Sequence, residues 1–284
     1  MQTIREFRDR MIRELCAIYP ERESFNQVVM LFKSVAGINI GDFSLHPGKV
    51  IDDNTETLLL NKLEELMRMK PVQYVTGTAC FYDMELEVNN SVLIPRPETE
   101  ELVKWIADDW KGKSGLRVLD IGTGSGNIIL ALGRLLVNPI LTAIDISPGA
   151  LEVANKNAEK NGVHVSFLRK DILNESDWDL LERYDLIVSN PPYVRFLEKK
   201  RMQSNVLDYE PHQALFVPDD DPLLFYKAIA AFSSDRLKEK GNVYVEINEV
   251  LGHDTRDIFY RSGLSRLILK QDLNGKNRMI RACF

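Results

Sequence analysis

Four short apolar runs, Arg117–Ile121, Ile140–Asp145, Asp185–Ser189 and Asn242–Ile247, constrain this chain most. Each is about strand length and uninterrupted by the polar alternation of a strand with one wet face. Such runs suit parallel strands covered on both sides. Helical periodicity falls between them, over Gly126–Val137, Ala150–Asn161 and Asp221–Lys238. Val165–Arg169 reads as a further strand, and residues 265–270 and 277–283 as a terminal strand pair after a last helix. Alternating strand and helix predicts an α/β fold of Rossmann-like type, a mostly parallel seven-stranded sheet with helices on both faces.

The first seventy residues follow another rule. Ile4, Phe7, Met11 and Leu15 recur at helical spacing, as do Val28, Leu31, Phe32 and Val35. Asp52, Asp53 or Asn54 can cap a third long helix, and Pro71 ends it. From Gly77 the pattern becomes β-like, with Phe81, Met84, Leu86, Val88 and Val92 around the turn signal Asn89-Asn90. The expected organisation is a helical domain over 1–75, a linking hairpin over 76–94 and an α/β domain over 95–284. A length of 284 residues suits two domains.

Composition removes several classes. With 36 Lys and Arg against 42 Asp and Glu, the net charge is -6, so affinity built mainly on phosphate contacts is not expected. Cys16, Cys80 and Cys283 are far apart, and the four histidines form no ligand pair, so reduced thiols and no metal are expected. The charged N-terminal stretch is no signal peptide, and no apolar run is long enough to span a membrane. A cytoplasmic protein is expected.

Two loops carry chemistry. Strand Arg117–Ile121 runs into Gly122-Thr123-Gly124-Ser125-Gly126 and then a helix. Open α/β sheets bind ligands at such carboxyl ends, where glycines let backbone approach closely. Asp145, ending the next strand, can accept both hydroxyls of a ribose, whether from NAD or from S-adenosylmethionine (SAM), or can cap the helix at Ser147-Pro148. Asp171 can meet an adenine amino group or cap its own turn with Asn174, and Asp120 can orient the glycine loop or hold an amino group.

The second loop, Asn190-Pro191-Pro192-Tyr193, also ends a strand and so faces the same crevice. Pro191 biases Asn190 to extended backbone, and the prolines stiffen the loop. The Asn190 side-chain carbonyl and the Pro191 backbone carbonyl can together accept both hydrogens of a planar NH₂ group. Tyr193 can stack on it. An amide nitrogen is a poor nucleophile, because its lone pair is delocalised. Two fixed acceptors favour charge on that nitrogen as the sulfonium methyl arrives. The same logic serves the exocyclic amino groups of adenine and cytosine, but such enzymes usually add a target-recognition region. Here the only extra region is residues 1–75, which is not basic.

With these motifs the chain resembles, over nearly its whole length, the HemK/PrmC family of release factor N5-glutamine methyltransferases. The resemblance rests on Val92–Glu100 (VLIPRPETE), Asp120–Gly126, Ser189–Tyr193, Tyr209-Glu210-Pro211 leading to Ala214-Leu215, and the late strand with Glu246. It implies SAM bound by Gly122, Thr123, Gly124, Ser125, Gly126 and Asp145, with a contact at Ile172 and Asn190 touching both cofactor and substrate. It also implies a glutamine site at Asn190, Pro191, Pro192 and Tyr193, walled by Arg96, Pro97, Glu98 and Thr99. The implied substrate is the GGQ-motif glutamine of peptide chain release factors, with no direct nucleic-acid or membrane partner. The helical domain would dock the protein substrate. Some relatives carry Trp where this chain has Ile172, so that aromatic contact is absent. The basic stretch Lys199-Lys200-Arg201 is either a solvated face or part of a basic surface.

Overall fold

A computed structural model describes residues 2–284, the side chain of Arg201 excepted. The chain forms two compact units.

The first unit runs to Thr78 and takes in Gln203–Tyr209. Its helices are α1 (Ile4–Leu15), α2 (Glu21–Ala36), the single turn α3 (Asp42–Leu45), α4 (Asp53–Met67) and α5 (Val72–Thr76). Thr3 and Glu6 close a capping box on α1, and Asp52 caps α4 by accepting the Thr55 N–H at 2.9 Å. Of the three candidate caps, Asp52 holds that position. The periodic faces meet in one core, in which Phe32 packs edge-on against Phe7 and Phe43. The Tyr209 hydroxyl donates to the Arg68 carbonyl at 2.8 Å, tying the later segment into this unit. The expected boundary at residue 75 missed that return of the chain.

The second unit opens with a hairpin, β1 (Thr78–Phe81, its last three residues in this unit) and β2 (Met84–Glu87). The turn lies at Tyr82-Asp83, both at positive φ, and not at Asn89-Asn90 as expected. With this turn Phe81, Met84 and Leu86 all enter the core. Asn89 instead shapes a later loop, accepting the Ser91 N–H. Then follow α6 (Pro97–Asp109), β3 (Arg117–Ile121), α7 (Asn127–Leu135), β4 (Ile140–Asp145), α8 (Pro148–Asn161), β5 (Ser166–Arg169) and β6 (Tyr184–Ser189). After the short strand β7 (Val194–Arg195) the chain runs through α9 (Ser204–Tyr209) of the first unit. It continues with α10 (His212–Leu215), β8 (Phe216–Val217), α11 (Leu224–Arg236), β9 (Leu237–Glu246), α12 (Gly252–Arg261), β10 (Arg266–Gln271) and β11 (Asn277–Cys283).

Seven strands form one sheet in the order β10-β11-β9-β6-β3-β4-β5. The β9, β6, β3, β4 and β5 strands pair in parallel, and β11 runs antiparallel to both its neighbours. The apolar runs mark strands whose alternate residues enter two different cores. Val118, Leu186, Val188 and Tyr244 face α6, α7 and the hairpin. Leu119, Ile187, Val243 and Val245 face α11 and α12. That is the expected mostly parallel seven-stranded sheet, covered on both faces.

Candidate active site

A cavity of about 410 Å³ opens at the carboxyl ends of β3, β4, β5 and β6, entirely within the second unit. The strand order sets its position, because the loops after neighbouring parallel strands emerge on one edge.

The glycine loop forms one wall. Gly124 has φ 55°, and Gly126, at φ 81°, starts α7 with its Cα so near Ala154 that an added Cβ would lie 3.3 Å from the alanine methyl. Both positions favour glycine on backbone grounds, and Gly126 on space as well. The loop is pinned to β4, since the Gly122 and Thr123 N–H groups donate to the Ile144 carbonyl. Asp145 closes the same corner. Its Oδ2 accepts the Gly124 N–H and its Oδ1 the Ser147 N–H, each at 2.9 Å. Burial holds the Asp145 carboxyl above its ordinary range, against the weaker downward pull of these backbone donors. Each oxygen keeps a further lone-pair direction for a ligand hydroxyl. The cap of α8 is Ser147, whose Oγ accepts the Ala150 N–H, so Asp145 braces the turn before that helix and does not cap it.

Gly122, Thr123, Gly124, Ser125, Asp145, Asp171 and Ile172 line the cavity. Asp171 also closes its own turn, accepting the Leu173 N–H at 2.9 Å. Asp120 and Gly126 are not among the lining residues. Asp120 is fully buried behind the loop, and its Oδ2 accepts the Thr123 hydroxyl at 2.7 Å. Its Oδ1 and the Ser125 hydroxyl have no partner among the described residues. Burial above all, with the nearby Asp145 charge, pushes Asp120 from its ordinary 3.8 up to about 7.

That shift has a sign in stability. Between 3.8 and about 7 the folded chain holds a proton that the unfolded chain has released. Stability from this group is complete below the lower value and is lost as pH rises through the upper one. Urea unfolding of wild type and Asp120→Asn from about pH 5 to about pH 8 will show wild type losing stability relative to the variant across that window. Parallel curves would mean that Asp120 does not titrate there.

The loop after β6 supplies the facing wall. Asn190, Pro191 and Pro192 line the cavity, with Arg96 and Thr99 from the start of α6. Asn190 donates from Nδ2 to the Thr99 hydroxyl oxygen at 3.2 Å, and no donor among the described residues occupies its Oδ1. Tyr193 is not among the lining residues. Its ring packs against the α11 side of the core, and its hydroxyl donates to Glu246 at 3.0 Å. Burial and the Glu246 charge push that phenol above its usual range. Arg96 pairs with the buried Glu210 at 2.5 Å, and the other Glu210 oxygen accepts the Ile94 N–H. Glu210 of the Tyr209-Glu210-Pro211 motif thus braces the wall that carries Arg96.

Other lining residues carried no sequence signal. Phe225 and Ile229 lie one turn apart on α11, a spacing that reads as ordinary core, and Lys170 and Gln213 belong to no motif. In the basic stretch, Lys199 rests over the Phe216 ring at 5.9 Å, and Phe196 stacks on that ring at 5.1 Å. The Arg201 side chain lies outside the described residues. Among the described residues no group of three His, Cys, Asp or Glu side chains is arranged to hold a metal ion. None of the helices described is long and apolar enough to cross a membrane.

The donor set suits an adenosyl sulfonium amino acid. The two-oxygen acceptor Asp145 and the apolar side chains of Ile172 and Ile229 line the same cavity, and the glycine loop adds the Ser125 hydroxyl, which has no partner among the described residues.

Comparison with known proteins converges on one family. Residues 112–272 match a family described as "Methyltransferase domain". The release factor glutamine methyltransferase of Flavobacterium psychrophilum is 40% identical over 288 residues, spanning 99% of each chain. The protein of the same name from Streptococcus pneumoniae is 36% identical over 282 residues, 98% of this chain and 96% of its own. Among solved structures, a methyltransferase from Pyrococcus furiosus superposes with a TM-score of 0.51 at 17% identity, covering 81% of this chain and 98% of its own, and so shares the fold. Identities of 40% and 36% over 99% and 98% of this chain place it in the release factor glutamine methyltransferase family.

Proposed function

We propose that this chain transfers the methyl group of SAM to the side-chain amide nitrogen (N5) of the GGQ-motif glutamine of peptide chain release factors. The observation that carries this reading is the state of Asn190. Its Nδ2 is held by Thr99, so its Oδ1 is the atom left to accept a hydrogen from an incoming NH₂ group. The Pro191 carbonyl is the second acceptor, on a backbone stiffened by Pro192. Together they match the two hydrogens of a primary amide. When bound, SAM supplies an electrophilic methyl carbon on its sulfonium. Asp145 would hold the ribose, and the loop from Gly122 to Ser125, with Asp120 behind it, the amino-acid end. Asp171 and Ile172 would flank the adenine.

The acceptors steer the nitrogen in line with the methyl and favour the positive charge that grows on it. As the N–C bond forms the S–CH₃ bond breaks, S-adenosylhomocysteine leaves, and the surplus amide proton passes to water after attack, so no ionisable base next to the amide is needed for attack. In this reading Tyr193 acts from behind the loop, and Arg96 shapes the substrate wall. The helical unit with α9 docks the release factor. The partner is then a cytoplasmic protein, with no direct contact to nucleic acid.

The test is methyl transfer from labelled SAM to a purified release factor, to the same factor with its GGQ glutamine changed to alanine, and to DNA. Label is expected on the intact factor alone. Equal label on the alanine variant would place the methyl elsewhere, and label on DNA would overturn the substrate.

A further inference from the structure

We infer that Thr99 and Glu246 are positioning residues that set which way round the Asn190 amide sits; the inference rests on the proposed glutamine reading. The oxygen and nitrogen of an asparagine amide are nearly equal in size. Packing alone therefore holds the two flipped forms at similar energy, and only hydrogen-bond partners tell them apart. The structure supplies a partner with a fixed polarity. Glu246 ends β9 with 1% exposure, and both of its oxygens take hydroxyl hydrogens. Oε2 accepts from Thr99 at 2.7 Å and Oε1 from Tyr193 at 3.0 Å. As a carboxylate it can only accept.

The Thr99 hydroxyl has one hydrogen, and Glu246 takes it. What Thr99 offers Asn190 is therefore a lone pair, which a side-chain N–H satisfies and a carbonyl oxygen does not. The 3.2 Å contact is thus selective for Nδ2. The flipped amide would set oxygen against oxygen and turn an NH₂ group toward the substrate amide, where two donors would meet. A buried carboxylate in this way passes its polarity through one hydroxyl to the atom that receives the substrate.

The three residues come from distant parts of the chain. Thr99 lies in the first turn of α6, Asn190 follows β6, and β9 is the sheet neighbour of β6. The threonine of the Pro97-Glu98-Thr99-Glu100 stretch thereby orients the amide as well as forming the wall.

The test uses the full chain with Thr99→Val, which keeps the shape and removes the hydroxyl, and Thr99→Ser, which keeps the hydroxyl. Thr99→Val is expected to slow single-turnover methylation of a release factor roughly tenfold, the scale of one indirect hydrogen bond, with SAM affinity within about twofold of wild type. Thr99→Ser is expected to restore most of the rate. A Val variant as fast as wild type overturns the inference, and so does a Ser variant as slow as Val. A second readout needs no turnover. With ¹⁵N-labelled asparagine, the Asn190 side-chain NH₂ resonance, assigned by its loss in Asn190→Ala, should move in Thr99→Val and stay in Thr99→Ser. An unmoved resonance in a folded Val variant overturns the inference. If wild type transfers nothing to glutamine, the proposed function fails, and the resonance alone then decides the amide's orientation.

Discussion

Asn190→Ala is expected to slow single-turnover methyl transfer by about 10²–10³, the cost of removing one preorganised polar group aimed at charge that develops in the transition state. The amide stands with Nδ2 on Thr99 and with no donor among the described residues on Oδ1, so its removal takes away one of the two proposed acceptors of the substrate NH₂ group. The loss belongs in the rate of the chemical step, because the hydrogen bond strengthens as the nitrogen gains positive charge. SAM affinity should fall far less, since Asp145 and the glycine loop are untouched. Asn190→Asp is a sharper variant. It sets an oxygen against a Thr99 oxygen whose hydrogen already goes to Glu246, and it adds negative charge near the sulfonium. It is expected to bind SAM at least as well as wild type and to transfer more slowly. Rapid-quench measurements with a release factor decide both. A wild-type single-turnover rate in Asn190→Ala would sink the amide-clamp mechanism.

Asp145→Ala is expected to weaken SAM binding at least about tenfold, the scale of one lost hydrogen bond. Hydrogen bonds to a charged acceptor are worth roughly 1.5–3 kcal/mol each, and every 1.4 kcal/mol is tenfold in affinity. The geometry adds a second effect. The same carboxylate receives the Gly124 and Ser147 N–H groups, so alanine also loosens the corner between the glycine loop and α8. Asp145→Asn keeps one acceptor oxygen but must turn an NH₂ toward one of those two backbone donors. It should therefore behave much like the alanine variant. Isothermal titration with SAM, alongside a circular dichroism spectrum for folding, is the measurement. Unchanged affinity in a folded variant would leave Asp145 only its structural role at the turn.

Local chemistry made much of this molecule readable in advance. Strands buried on both faces have to be apolar throughout, so β3, β4, β6 and β9 announced themselves, and their alternation with helices implied the parallel sheet. Glycine at Gly124 and Gly126 answers a backbone need, and Asn190-Pro191-Pro192 stiffens its own loop, so both were visible as residue types in order. Other features depended on partners far along the chain. Asn89-Asn90 and Tyr82-Asp83 can each turn a hairpin; burying Phe81, Met84 and Leu86 together selected the second. Tyr193 has a ring that can stack and a hydroxyl that can bond, and Glu246, 53 residues away, settled where the hydroxyl points. Thr99 reads as one residue of a helix start until the sheet order brings the end of β9 beside the loop after β6, 147 residues on in the chain from Thr99 to Glu246. The sequence by itself determined which loops end the parallel strands and what donors and backbone freedom they hold, because these are local properties. Only the tertiary structure decided which of those side chains line the cavity and which brace it from behind, because a hydrogen bond is assigned by distance, and distance across a sheet is set by strand order.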